Sequence, residues 1–483
     1  MVAVYVILGI LGILIVLLLI ALIRTIFIKS KPIDKMLDLD YSHAEEYALR
    51  FQKMIQVKTI SFDERENNSS SFIELKEVMK ELFPNVFKMM DLMEFHGESL
   101  ILKWKGKSSK KPLLLMSHID VVPAVDSNWD YEPFSGKIVG DEIYGRGTLD
   151  TKSTVYSFYQ ACEELILSGY VPENDVYLAS STDEETSGFG AELTVNWLKE
   201  NNIKPFLVVD EGGTVLSNAL PSLDRPMAVV GILEKGYVDI KLTAKSHGGH
   251  SSTPPKNTPI ARLSAMVNDI ENHFPLKTEM IKEVEELFRI AAPSMKGIYK
   301  YLFGNMWLFK GLITKLLPKL SPFGRALLST TIAFTMMKGS DAENVIPSEA
   351  YVIANLRTHP IQNAEESFKV IEKIAKKYDI HAEIVNQRDV SSIVDITGEG
   401  YKYLAEIISK TFPDALVSPY VMLGGTDCRF YSEVSDANLR FSPVRMNNEE
   451  LKKMHGNNES IRIKSLVEAT YFYKELIINN IGG

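Results

Sequence analysis

Four short segments carry side chains that could hold a metal ion or move a proton. Three of them close an apolar run. His118 and Asp120 follow "KPLLLMS", Asp183, Glu184 and Glu185 follow "DVYLASST", and Asp210 and Glu211 follow "PFLVV"; Asp150 sits in the glycine-rich "IYGRGTLDTKS". His118 and Asp120 alternate, so an extended chain points both to one side. A carboxylate beside a metal-bound imidazole orients the ring and raises its basicity. Taken singly, each segment has an ordinary explanation: a structural histidine, a helix N-cap at Asp150, solvated acidic turns after strands. Together they converge on one chemistry. So many carboxylates with an imidazole cannot stay ionised and partly buried without a compensating charge. A divalent cation, or two cations sharing a bridging carboxylate, would supply it. The chain has two cysteines, Cys162 and Cys428, which provide neither a disulfide framework nor a thiolate zinc site, although one bridge stays open. Imidazole and carboxylate donors suit zinc, with manganese or cobalt as alternatives.

These groups need a scaffold that brings strand ends together. The 483 residues exceed what one hydrophobic core holds, so two or more domains are expected. Strand and helix patterns alternate through residue 232, which predicts a mixed, mostly parallel α/β sheet. In such sheets ligands bind beyond the C-terminal strand ends. "GYVDIKLTAKS" then alternates with period two and is followed by helical "PIARLSAMVNDIENHF". Later come "AYVIANLRTHP", "AEESFKVIEKIAKKY" and "HAEIVNQ". This order predicts a smaller α/β layer inserted in the chain. The expected organisation is one α/β domain over 40–232 and 389–483, interrupted by a smaller inserted α/β domain over 233–388. Within the insert, residues 281–328 are unusually apolar with scattered lysines. They read either as extra core helices or as an amphipathic surface that touches lipid or holds an acyl chain.

The first 28 residues differ from the rest. Met1 to Ile23 carry no charged side chain, a length that suits a membrane-spanning helix. The basic start and small-residue cleavage site of a signal peptide are not evident, so a retained single-pass anchor is expected. Arg24, Lys29, Lys31 and Lys35 all follow the helix, a bias that favours a cytoplasmic catalytic bulk. A net charge of −9 without a basic block gives no reason to expect a nucleic-acid partner.

The motifs His118-x-Asp120, Gly145-Arg-Gly-Thr-Leu-Asp150-x-Lys152, Asp183-Glu184-Glu185 and "GGHSSTPP" around His250 resemble the co-catalytic di-zinc exopeptidases. That family includes aminoacylase, carnosinase and carboxypeptidase S. The long apolar insertion before "ENVIPSEA" and the late "HGNNE" are most similar to the carboxypeptidase S and N-fatty-acyl-amino-acid hydrolase subgroup. The resemblance implies a zinc-exopeptidase-like catalytic fold with two zinc ions, a catalytic domain over 40–232 and 389–483 with a lid- or dimerisation-type insert over 233–388. His118 and Asp210 would hold one, Glu185 and His455 the other, and Asp150 would bridge them. It further implies that Asp120 orients His118, that Glu184 is the general base, and that His250 stabilises the oxyanion from the inserted domain. Asn344, Arg357, Gly424 and Gly425 would grip the substrate. The implied enzyme is a metallopeptidase or amidohydrolase acting on a short peptide or N-acyl amino acid with a free carboxylate. An N-fatty-acyl-amino-acid hydrolase or synthase is the alternative version, and a non-catalytic protein on the same fold is the competing class. A homodimer would follow the family habit, with His250 acting within its own chain or across the pair.

Overall fold

The apolar runs that end in candidate ligands become adjacent strands of one ten-stranded sheet. This follows from a computed structural model of the chain, which describes residues 1–61, 69–95, 98–186 and 188–480. Strands Asn174–Ser181, Ser108–His118, Leu207–Asp210 and Asn438–Arg440 lie side by side and parallel. Leu115 is opposite both Leu178 and Val209, and His118 is opposite Ser181. The register therefore brings three acidic or imidazole-bearing strand ends to one edge. Leu100–Trp104 on one side and Met227–Glu234 on the other pair antiparallel, which makes the sheet mixed. Both faces are covered, which explains unbroken apolar runs where a one-faced sheet would alternate. Leu113 and Leu115 pack with Val155 and Phe472 from helices Lys152–Leu167 and Ile463–Ile478. Leu114 and Met116 pack with Val195 and Leu198 of helix Phe189–Glu200.

A second, four-stranded antiparallel sheet follows the order Thr331–Lys338, Glu349–Thr358, Gly236–Lys245, His381–Arg388. Its alternating strands turn Val238, Ile240 and Leu242 inward onto Leu263 and Met266 of helix Pro259–Asn272 and Ile371 of helix Ala364–Lys377. This layer has its own core.

The apolar insertion does not join that core. Helices Lys282–Ala291, Gly297–Phe303, Met306–Leu320 and Pro322–Leu328 pack instead into the core of the large sheet. Val284, Leu287, Phe288 and Ala291 recur at helical spacing and form the buried face of the first of these. The buried Lys235 pins the last, donating to the carbonyls of Ala326 at 3.1 Å and Ser329 at 2.8 Å. The N-terminal helix, Val2–Phe27, is long and apolar enough to cross a membrane, as a signal sequence also would be. Its one buried residue is Ala21, which lies under the insertion.

Candidate active site

Asp150 stands between two imidazoles. One carboxylate oxygen is 3.0 Å from His118 Nε2, and the other is 3.0 Å from His455 Nε2. Each imidazole meets a second carboxylate: His118 Nε2 is 3.7 Å from Glu211 Oε1, and His455 Nε2 is 3.1 Å from Glu185 Oε1. Two three-residue sets thus share Asp150. The first is His118, Asp150 and Glu211; the second is His455, Asp150 and Glu185.

Buried neighbours fix these side chains. His118 Nδ1 lies 3.0 Å from the Asp120 carbonyl and 3.2 Å from its carboxylate. The same carboxylate accepts from the backbone N–H of Glu184 at 3.2 Å, that of Glu185 at 3.1 Å, and the Ser61 hydroxyl at 2.6 Å. Asp120 therefore sets both the imidazole and the Glu184–Glu185 backbone. The third acid of the triplet, Asp183, turns the other way. It accepts from Phe189 N at 2.9 Å and Gly190 N at 3.0 Å, at the start of helix Phe189–Glu200, where a carboxylate suits the unpaired N–H groups. Consecutive acids thus take different partners: Asp183 the helix N–H groups, Glu185 the His455 imidazole.

The Asp150 loop is held from the far end of the chain. Glu459 accepts from Leu149 N at 2.7 Å, Asp150 N at 3.1 Å, Gly147 N at 3.1 Å and Arg146 Nη1 at 2.7 Å. It lies four residues beyond His455, which adopts a left-handed backbone at φ +56°. Sequence reasoning missed Glu459 as a functional residue. Its signal was the acid that closes "HGNNE", read only as a mark of resemblance.

Glu211, rather than Asp210, meets His118. Asp210 keeps the parity of Val208, which packs with Cys428 and Tyr431 on the Phe189–Glu200 side of the sheet. Its carboxylate accordingly accepts from Cys428 N at 2.9 Å and Glu211 N at 2.8 Å. Asp210, expected as a ligand, thus faces backbone N–H groups here, and Glu211 is the acid of this strand end nearest His118.

The electrostatics are those of a site with more acid than its cations can balance. Burial, followed by the nearby carboxylates, pushes Glu184 and Glu211 well above the carboxylate range. Burial would lower His118, but Asp120 and Asp150 outweigh it and hold the imidazole well above its ordinary value. Hydrogen bonds to Asp150 and Glu185 push His455 up to about 10. Burial opposes ionisation of Asp150, yet the two imidazoles win and hold it low. Protons here stand in for cations: a donor set of two imidazoles and three carboxylates around one shared oxygen pair fits a pair of divalent ions.

The expected substrate residues sit apart from this cluster. His250, Asn344 and Arg357 are exposed on the four-stranded layer and its loops. His250 Nδ1 is 2.9 Å from the Ser252 hydroxyl, the Asn344 carbonyl accepts from Ser251 N, and Arg357 lies 5.8 Å from the Tyr237 ring centre. Among the described residues, none hydrogen-bonds or ion-pairs with the cluster. Gly424 has open space where a side chain would go, whereas a Cβ on Gly425 would come within 2.2 Å of the Arg388 guanidinium. Arg388 shares the Tyr237 ring with Arg357, at 5.2 Å. It is a second cation at this loop that the sequence reading did not single out.

Fold and site together define a metallohydrolase. The sequence profile of Peptidase family M20/M25/M40 matches residues 114–479, and the chain belongs to that family. It is 34% identical over 443 residues to a probable carboxypeptidase S-like 2 of Dictyostelium discoideum, covering 90% of this chain and 85% of that one. It is 33% identical over 431 residues to the N-fatty-acyl-amino acid synthase/hydrolase PM20D1 of Xenopus tropicalis, with 88% and 84% covered. Among solved structures, the M20 family metallo-carboxypeptidase Sso-CP2 of Sulfolobus solfataricus matches with a TM-score of 0.64 at 19% identity, over 89% of this chain and 98% of that one. The family binds a dinuclear metal centre, and the residues around Asp150 are candidate ligands for one.

Proposed function

We propose that this chain is a zinc-dependent amidohydrolase that cleaves a short peptide or an N-acyl amino acid with a free carboxylate. The observation that carries the reading is Asp150, whose two oxygens face His118 and His455 at 3.0 Å each. His118, Asp150 and Glu211 would hold one ion, and His455, Asp150 and Glu185 the other. When bound, such ions polarise a carbonyl and bring a water's pKa towards neutrality. Glu184 takes the proton of the attacking water and returns it to the leaving nitrogen. Asp120 keeps His118 and Glu184 in register. His250 donates to the oxyanion as the carbonyl becomes tetrahedral. Arg357 pairs bidentately with the substrate carboxylate beside Gly424 and Gly425, and Asn344 orients the amide. These last roles require the four-stranded layer to close over the cluster or a partner subunit to supply them, which supports a homodimer as the working form. Helix Val2–Phe27 serves as a retained single-pass anchor, with the catalytic bulk on the cytoplasmic side by the charge bias that follows it.

The acyl group admits a second version, a long-chain N-acyl amino acid, which the apolar insertion favours. The test uses the full chain in detergent, with metal content and hydrolysis of N-acyl amino acids and dipeptides measured beside Glu184→Gln. About two zinc ions per chain in both proteins, with turnover lost only in the variant, is the expected result. Turnover surviving in Glu184→Gln would overturn the assignment of the base. Preference for dipeptides over long-chain acyl substrates would exclude the lipid version.

A further inference from the structure

The outer surface of the insertion has a composition unlike the rest of the chain. From Lys296 to Leu328 there are six cations, namely Lys296, Lys300, Lys310, Lys315, Lys319 and Arg325, and no aspartate or glutamate, in a protein of net charge −9. Along helix Met306–Leu320, Leu312, Leu316 and Leu320 recur every fourth residue and form one stripe. They are 48%, 41% and 78% exposed, and Phe323 just beyond the helix end is 40% exposed. Trp307 and Tyr299 are exposed nearby. A soluble surface rarely leaves an apolar helix face bare, and a bare face rimmed by one sign of charge marks a contact surface.

The N-terminal helix fixes what that surface meets. A hydrocarbon layer of about 30 Å takes about 20 residues at 1.5 Å each, and the first charged side chain, Arg24, puts the exit of Val2–Phe27 in the turns just before it. The insertion grips the helix at that level. The Tyr301 hydroxyl donates to the Leu18 carbonyl at 3.0 Å, and Asn305 Nδ2 donates to the Ala21 carbonyl at 3.1 Å and the Thr25 hydroxyl at 2.9 Å. The Arg24 guanidinium lies 5.8 Å from the Trp307 ring centre. The insertion therefore begins where the helix emerges from lipid.

We propose that residues 297–323 form an in-plane platform lying on the headgroup–acyl boundary of a membrane that contains anionic lipid. The leucine stripe faces the acyl chains, Trp307 and Tyr299 sit at headgroup level, and Lys300, Lys315 and Lys319 meet lipid phosphates and carboxylates, Lys310 being paired with Glu285. The proposal rests on the reading of Val2–Phe27 as a retained anchor. A second copy of this chain is the poorer occupant. In a two-fold contact the lysines of Met306–Leu320 would face their own copies, since that helix carries no carboxylate and the neighbouring Glu285 is already paired with Lys310 at 2.6 Å.

The test places an environment-sensitive fluorophore on a single cysteine of the full chain in phosphatidylcholine–phosphatidylserine vesicles. The native Cys162 and Cys428 are buried and leave introduced thiols as the labelling sites. The probe positions are Leu316→Cys on the stripe, Leu14→Cys in the anchor, and Leu167→Cys on the exposed end of a catalytic helix. The expected result is quenching at 316 by a lipid-borne quencher several-fold above that at 167, with a blue-shifted emission. Lys315→Glu with Lys319→Glu should reduce that quenching only when phosphatidylserine is present. Lipid quenching at 14 with iodide quenching at 316 would overturn the platform and leave the anchor standing. Shielding at 316 from both quenchers would also overturn it, in favour of a protein occupant. Absence of lipid quenching at 14 would overturn the anchor reading and the platform with it.

Discussion

Replacing Glu211 with Gln should cost far more metal affinity than replacing Asp210 with Asn. Glu211 Oε1 lies 3.7 Å from His118 Nε2, and Asp150 lies 3.0 Å from the same nitrogen. His118 and Glu211 lie close enough to serve one ion, and Asp150 faces the same imidazole nitrogen. Asp150 is shared, so Glu211 is the one carboxylate devoted to that ion. Asp210 reaches the centre only through the N–H groups of Glu211 and Cys428, at 2.8 and 2.9 Å. Losing an outer partner of this kind typically weakens metal binding about 10–100-fold. Losing a ligand should exceed the upper end, which is more than about 2.7 kcal/mol. Asp210→Asn should instead show itself in stability. Its amide sets an N–H against an N–H donor in a buried site, a penalty of about 1–3 kcal/mol. Competition with a fluorescent zinc chelator measures the first effect, and denaturant unfolding of the metal-free chain measures the second. Metal affinity that falls as far in Asp210→Asn as in Glu211→Gln would refute the assignment.

Glu184→Gln should lower kcat by about 10²–10⁴-fold with metal content unchanged, read by steady-state kinetics beside metal analysis. Glu459→Gln leaves the buried Arg146 without its carboxylate and should destabilise the chain by about 3–5 kcal/mol, measured by denaturant unfolding. Arg357→Met should raise KM more than it lowers kcat, and a substrate amide in place of the carboxylate should erase the difference between variant and parent. In the metal-free chain, burial pushes Asp210 up to about 6 and Asp427 up to about 7, while hydrogen bonds push His455 up to about 10. Each binds its proton more tightly folded than unfolded, so the stability it lends is full below the unfolded value and lost as pH rises through the folded one. The unfolding midpoint should fall between about pH 4 and pH 7, and added zinc should restore it; above that range Lys152 and Lys235, lowered by burial to about 7, offset His455. A metal-free midpoint that rises between about pH 4 and pH 7 would refute the electrostatic account.

The strand ends were legible because two-faced burial leaves unbroken apolar runs, and the acids after Leu178 and Val209 interrupt them abruptly. His118, Asp120, Asp150, Glu184 and Glu185 could be singled out on that pattern. Which of Asp210 and Glu211 lies nearer to His118 could not be read there, since it turns on where the strand stops and which face Val208 occupies. Glu459 was equally hidden: its partners are backbone N–H groups around Gly147 and Leu149, and backbone groups leave no trace in residue types. The insertion was read as apolar and helical, but its attachment to the large core depends on Lys235 and on Val284, Leu287 and Phe288 finding the sheet. No local pattern encodes such long-range docking.

The separation of 309 residues between Asp150 and Glu459 imposes an order of assembly on the metal pair. His118, Asp150 and Glu211 all leave the ribosome before the second half of the chain exists. His455 and Glu459 follow roughly 15–60 s later at 5–20 residues per second. Any chain that stops short of residue 455 keeps at most one of the two ligand sets and lacks the carboxylate that fixes the loop carrying Asp150. A dinuclear centre of this kind would therefore be complete only after residues 455 and 459 have been added.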